Sequence, residues 1–410
     1  MDQPAETSSS ALPSRRGRLP RIGDLLFVIA VVAVYVALMV LNWNNHPALT
    51  GAWPDRMMLL AERILQGHLD DPAFKDTTDS VVRAGHYYVA VGPMQVLPYL
   101  PLALIHAFRE QAGFITSGAA GIAAAVGSLK LVRSYGASGG DAYWLAAMAA
   151  FGTLLVYVSV FGNFYYLAQA ESFLALTLML IEWAGRRRPL VLGICLACSF
   201  LARPTTVLAA APFGLALIWR RRDWFLRGLA FGLPILAAVA VYAWFNWARF
   251  GSPLESGYAI SYLPQPGLEA RRALGLFSLQ QLPENLRLAF LAGFKPLDHA
   301  PFFTADPYGL SMIVVSPGLV TAVWAGMRSV DAKVLWAAVA IVAVPVFLYY
   351  GGGYFQYGFR YALDFTPFLI ALTAMGSRRY FGRLEKMLIL VSVVSVAYGV
   401  IWAGQAALQA

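Results

Sequence analysis

Residues 93–108 read PMQVLPYLPLALIHAF, and whether this run crosses a membrane sets the topology of everything after it. Pro93, Pro98 and Pro101 argue against a straight helix, because each proline lacks a backbone donor and crowds the preceding turn. The surrounding charges argue more firmly. Lys130 with Arg133, Arg186–Arg188, Arg220–Arg222, Arg328 with Lys333, and Arg378, Arg379, Arg383 and Lys386 all lie in short connections between apolar runs. If 93–108 stays on one side, every cluster falls on the side of the N-terminal Arg15, Arg16, Arg18 and Arg21, as the cytoplasmic bias of lysine and arginine asks. Counted as a span, it puts all later clusters outside. The run is therefore expected to be a juxtamembrane or re-entrant helix covered by protein.

The composition sets the same frame. Of 410 residues, 59% are hydrophobic and 13% charged, with a mean hydropathy of +0.60; soluble domains carry about 25% charged residues. A bilayer core of about 30 Å needs roughly 20 apolar residues as a helix. That rule predicts an all-α polytopic membrane protein of about eleven spans: 25–42, 114–132, 141–161, 167–184, a tight pair at 190–202 and 204–219, 225–248, 309–327, 334–350, 361–376 and 387–405. Residues 1–24, rich in Ser, Pro and Arg, are expected to be a disordered cytoplasmic tail, and 25–410 a single integral domain. The run 25–41 is too long for a signal-peptide core and is read as a retained span. The net charge of +9 is spent on topology and not on a nucleic-acid stripe. Cys195 and Cys198 share a face of one apolar helix, which favours small buried residues over a redox or metal pair. The tract Ser117, Gly121, Ala125 suits close helix packing.

Two large polar regions remain on the outward side, 43–111 and 249–308, with shorter turns at 162–166 and 351–360. They bring ionisable residues to one level: Asp55, Glu171, Arg203 at the tip of the 190–219 hairpin, and Arg360 with Asp364. Such residues at membrane depth are costly and tend to be functional. Each also has a plain structural reading. In Trp53-Pro54-Asp55 the proline and the acid are ordinary helix-start chemistry. Arg360 and Asp364, four apart, are as well placed to pair with each other as to bind a ligand. What favours function at Asp55 is its company: Glu62, His68, Asp70, Asp71, Asp76, Asp79, His86 and Tyr87-Tyr88, acids for hydroxyl groups and aromatics for stacking. No cofactor is implied. His68 and His86 with Asp70 or Asp71 are compatible with a divalent cation but match no specific metal motif.

These blocks carry a resemblance. PDRMMLLAERILQGHL (54–69) and GHYYVAVGPMQVLPYLPLALI (85–105) resemble the first outward loop of GT-C membrane glycosyltransferases. The branch is that of the protein O-mannosyltransferases and lipid A aminoarabinose transferases. FYYLAQAESFLALTLMLIEW, SFLARPTTVLAAAPF, NWARFGSPLESGY and YYGGGYFQYGFRYALDFTPF are similar to later blocks of that group, so the resemblance covers most of 25–376. It implies a polyprenyl-phosphate-sugar donor and an outward-facing site in the plasma (inner) membrane. It also implies an aspartate of the first loop, matched by Asp55, acting on the acceptor. Glu171 sits where the group has a second acid, without its Leu-Asp pair. Gly92-Pro93-Met94 stands in place of a Lys-Pro or Pro-Pro-Leu motif.

Sugar transfer from a lipid phosphate needs a base for the acceptor hydroxyl and cations for the departing phosphate. The expected roles are Asp55 as base, Arg203 and Arg360 at the donor phosphate, and Glu171, His86 and Tyr87 around the sugar or acceptor, with inversion in a single displacement. The acceptor is a glycan, lipid or protein. A transporter or lipid flippase would instead predict charge deep in mid-span and discontinuous helices. A non-catalytic assembly subunit would predict no pocket joining Asp55, Arg203 and Arg360.

Overall fold

Proline breaks the run 93–108 in the structure as well. The computed structural model describes residues 21–45, 55–263, 265–298, 302–353 and 356–409. Most of the expected N-terminal tail, together with Trp53 and Pro54, lies outside these described residues. Helix α1 (Ile22–Asn45) comes first, then the amphipathic α2 (Arg56–Leu65). Between them and the next span the chain makes a small antiparallel hairpin, β1 (Ser80–Arg83) and β2 (His86–Val89). Alternating β-branched and aromatic residues supply the strands, and Ala84-Gly85, both at positive φ, supply the tight turn. Residues Pro93–Tyr99 then wind as a 3-10 helix and Leu100–Leu104 as a five-residue α3, too short to cross a bilayer.

The remaining helices follow in order: α4 (Ala112–Ser134), α5 (Gly139–Phe151), α6 (Leu154–Val160), α7 (Phe164–Ala184), α8 (Pro189–Ala202), α9 (Ala210–Ile218) and α10 (Trp224–Phe250). The second polar region contributes α11 (Pro266–Ala273), α12 (Leu282–Phe290) and a two-residue pairing of β3 (Lys295–Pro296) with β4 (Phe303–Thr304). The chain closes with α13 (Met312–Val315), α14 (Val330–Leu348), α15 (Thr366–Ser377) and α16 (Arg383–Gln409). Among the described residues α1, α4, α7, α10, α14 and α16 are long and apolar enough to cross a membrane, and α5–α6, bent by 46° at Gly152-Thr153, makes a seventh if taken as one span. The chain is thus a mostly helical integral membrane protein, but five of the eleven expected spans are not single long helices: besides the bent α5–α6 at 141–161, four others are short or broken. The hairpin arms α8 and α9 are short, 309–327 is α13 plus a 3-10 stretch Pro317–Ala325, and 361–376 is a 3-10 turn plus α15. Pro204, Pro317 and Pro367 each open the segment after a break, where an uninterrupted ladder cannot form. Two small β pairings also qualify the all-α expectation.

Helix α7 is the hub, packed against α4, α8 and α15. Ser117, Gly121 and Ala125 of α4 are all buried, and a side chain at Gly121 would strike Ser159 of α6. By contrast, α1 and α10 are peripheral and leave Leu25, Leu26, Leu229, Leu233 and Leu236 exposed, as lipid-facing helices do. Ion pairs join one set of helix ends. Arg133 at the end of α4 grips Asp24 at the start of α1 through two bonds of 2.7 and 2.8 Å, and Tyr143 of α5 donates to the same carboxylate. Arg187, just past α7, grips Asp331 at the start of α14, with Trp183 donating to it as well. Tyr135, just past α4, donates to the carbonyl of Leu180 near the end of α7, so these ends share one face. The start of α7, the ends of α8, α10 and α14, and both polar regions meet at the other.

Gly193 of α8 lies so close to α10 that a Cβ would run into the Phe231 carbonyl, a backbone atom that cannot swing aside. Gly193→Val should therefore destabilise by about 1–3 kcal/mol, read as a lowered melting temperature in detergent. Gly232→Ala, on α10 with open space around it, should be neutral or slightly stabilising.

Candidate active site

One buried cation fastens the first polar region to the span that precedes the second. Arg249, near the end of α10 and 1% exposed, donates to the carbonyls of Phe245 (3.1 Å), Val89 (2.7 Å) and Val91 (2.9 Å). Phe245 and Phe250 cover its guanidinium at 3.7 and 4.5 Å. Carbonyl dipoles and ring faces thus do the work that a carboxylate would otherwise do. The second polar region then zips onto the first: the Asp79 N–H donates to Tyr262 O (2.8 Å), and the Tyr262 N–H to Ser80 O (2.7 Å). Around this seam lies a cavity of about 510 Å³, walled by both polar regions, the hairpin tip, the start of α7, the end of α14, and Gly351, Arg360 and Tyr361.

Arg203 and Arg360 both line it, and both stand over the ring of Tyr361, at 5.0 and 4.8 Å. Their circumstances differ. Arg203 is locked to Asp364 by two bonds of 2.9 and 3.0 Å, and Thr205 donates to the same carboxylate at 2.7 Å; Asp364 is fully buried. Asp364 is therefore not the partner of Arg360, four residues away. Arg360–Asp364 is a 3-10 turn, in which residues four apart do not face each other as on an α-helix. Among the described residues Arg360 forms no ion pair; it is 9% exposed, its Nε has no hydrogen-bond partner, and a second ring, Tyr166, lies 5.3 Å away. Gln169 of α7 donates to its carbonyl at 3.3 Å and holds the turn in place. Gly351 also lines the cavity, and Gly352 and Gly353 take positive φ just past it.

Asp79 is the acid on this wall. It is 7% exposed, accepts from Ser261 Oγ at 3.2 Å and lies beside Tyr165; burial raises its pKa, against those two donors. Arg56 lines the wall near it, donating to the Thr77 hydroxyl at 3.3 Å and covering the Phe164 ring at 4.8 Å. Asp55 stands one residue behind and does not line the cavity, so the cavity joins Arg203 and Arg360 without it. It caps α2, with the Met57 N–H donating to Oδ1 at 3.0 Å, and its Oδ2 faces Gly113 so closely that a side chain there would collide with it. Burial raises its pKa to about 6, partly countered by Met57 and by Tyr99 alongside.

Glu171, His86 and Tyr87 do not line the cavity. Glu171 is buried in α7 with an unpartnered Oε2, within electrostatic reach of Tyr99. His86 is exposed and pairs with Asp70 at 2.7 Å, while Tyr87 packs with the core under α2. Among the described residues no three His, Cys, Asp or Glu side chains gather as a metal site, and Cys195 and Cys198 are free thiols, both half-buried. Asp79 as an individual, Arg56, Arg249 and the cavity tyrosines are functional-site residues that no local motif singles out. The doublets Tyr165-Tyr166 and Tyr349-Tyr350, each at the mouth of an apolar run, were the available signal.

No family model and no curated protein matches the chain. Among solved structures it is similar to the archaeal oligosaccharyltransferase AglB from Archaeoglobus fulgidus, in complex with an inhibitory peptide and a dolichol-phosphate, at a TM-score of 0.47 and 13% identity. The match covers 94% of this chain and 56% of the archaeal one, so the chain spans little more than half the length of that protein.

Two stability measurements follow. Arg203→Met alone strands a buried carboxylate and should cost about 3–5 kcal/mol, whereas Arg203→Met with Asp364→Leu should cost clearly less; a double change as damaging as the single would deny the pairing. For Asp55, a raised folded-state pKa gives stability that is full below about pH 4 and is lost as pH rises through about 6. Asparagine keeps the cap, so Asp55→Asn should be more stable than wild type at pH 7, by up to about 3 kcal/mol. The gap should close by pH 4 in melting curves taken at both values.

Proposed function

We propose that this chain is a membrane glycosyltransferase of the GT-C kind, moving a sugar from a polyprenyl-phosphate donor to an acceptor hydroxyl at the outer face of the plasma membrane. The observation that carries the reading is Arg360, a buried guanidinium that has no counter-ion among the described residues, on the wall of an aromatic cavity. A site of that charge takes an anion, and a guanidinium matches phosphate oxygens with paired donors. The sequence blocks that resemble GT-C enzymes meet at this cavity. The basic clusters lie at the other set of helix ends, which agrees with a cytoplasmic N-terminus and an outward site.

In the reaction the acceptor oxygen attacks the anomeric carbon, the bond from that carbon to the phosphate oxygen breaks, and the electron pair leaves with the phosphate. Arg360 stabilises that charge, and Arg203, held by Asp364, keeps Tyr361 between the two cations. A carboxylate of the first polar region takes the hydroxyl proton. We assign that role to Asp55, which lies behind the Arg56 wall and whose pKa burial raises to about 6, so the role requires that the acceptor be admitted past that wall. A single displacement inverts the anomeric centre. Glu171, His86 and Tyr87 receive no substrate contact in this scheme.

The test uses the full chain in lipid nanodiscs. Arg360→Gln should weaken polyprenyl monophosphate binding at least about tenfold, the scale of a hydrogen bond to a charged group. Unchanged binding would refute the phosphate site. In membranes, Asp55→Asn should cut transfer about 100-fold or more, read by mass spectrometry of lipid-linked sugars and glycans. Full transfer by this folded variant would remove Asp55 as the base.

A further inference from the structure

The cavity holds a carboxylate as well as a free cation, and the two lie on different sides of one tyrosine doublet. Tyr165 and Tyr166 are consecutive on α7, so their side chains diverge by about 100°. Tyr165 donates to the Thr78 carbonyl at 3.4 Å and sits beside Asp79, whereas Tyr166 lies under Arg360 at 5.3 Å. The backbone of Asp79 is clasped at both ends: its N–H donates to Tyr262 O, and its carbonyl accepts from Ala90 N–H at 2.9 Å. Its φ of 62° is left-handed, uncommon for a residue other than glycine. Ser261, from the other polar region, donates to Oδ1 and is itself fixed by Arg272, which donates to its carbonyl at 2.7 Å. Two loops far apart in sequence therefore converge to hold one carboxylate against the cavity, next to rings that present flat apolar faces.

We infer that Asp79, with Tyr165 and Ser261 around it, is a hydroxyl-recognition site for the glycosyl group of a lipid-linked phosphosugar whose phosphate lies on Arg360. This rests on the lipid-phosphate reading above and adds the sugar's place to it. A carboxylate takes hydroxyl donors in short charge-assisted bonds, and an aromatic wall accommodates the apolar face of a sugar ring. Nothing in the step is covalent. The carboxylate binds and orients, and its loss removes the preference for a sugar-bearing lipid without removing the affinity for phosphate.

The full chain in nanodiscs is titrated with bare polyprenyl phosphate and with polyprenyl phosphates carrying mannose, glucose, galactose or arabinose. Wild type should bind at least one sugar-bearing lipid about tenfold or more tightly than the bare lipid. Asp79→Asn should erase that preference while keeping bare-lipid affinity within about threefold. Asp79→Glu, which displaces the carboxylate, should reduce it, and Asp76→Asn, an exposed acid in the same loop, should leave it intact. A preference that survives Asp79→Asn, or a wild type that binds the bare lipid and prefers no sugar, overturns the inference and leaves the phosphate site standing. Loss of bare-lipid binding in both Asp79 variants makes Asp79 a structural residue and also overturns it. A wild type that binds none of these lipids overturns the lipid-phosphate reading itself.

Discussion

An unpaired guanidinium inside a protein is expensive, and Arg360 is the constraint on which the rest of this structure turns. Desolvating an ion costs several kcal/mol even after relaxation. Two ring faces return about 0.5–2 kcal/mol each at most. The carboxylate nearest in sequence, Asp364, is engaged by Arg203 and Thr205 and cannot help. The surrounding elements therefore hold the charge against its own cost. Gln169 fixes the turn, Tyr166 and Tyr361 cover the guanidinium, and the Arg249 clamp closes the first polar region over the same space.

Much of that arrangement was legible from the chain. The prolines of 93–108 and the spacing of the basic clusters placed both polar regions, the hairpin tip and the 351–360 turn at one level, and the cavity lies where they meet. Arg203 and Arg360 stand out because each is a lone cation at the tip of an apolar segment. What could not be read depends on long-range pairing. Arg203 meets Asp364 across 161 positions, and Arg249 is satisfied by carbonyls, which have no residue-type signature. Fewer long unbroken helices form than there are apolar runs, for a local reason: hydropathy measures apolar length, whereas Ser316-Pro317-Gly318 and Arg203-Pro204 break the backbone without lowering apolar content.

Asp55 and Asp79 show the same limit. Asp55 is conspicuous in sequence because it starts a helix and matches the motif of a family, yet starting a helix is also what occupies its carboxylate. Asp79 looks like one acid among several in a polar loop, and only the seam with Tyr262 and Ser261 turns it toward the cavity. Local signals single out residues with local duties, while the wall of a cavity is assembled from distant segments.

The most direct measurement is a structure of the full chain with polyprenyl phosphate bound. The expected result is phosphate density within hydrogen-bond distance of the Arg360 guanidinium, with the Arg203–Asp364 pair intact beside it. Density for the headgroup elsewhere on the chain, with the cavity empty, would contradict the assignment of this site to a lipid-phosphate donor.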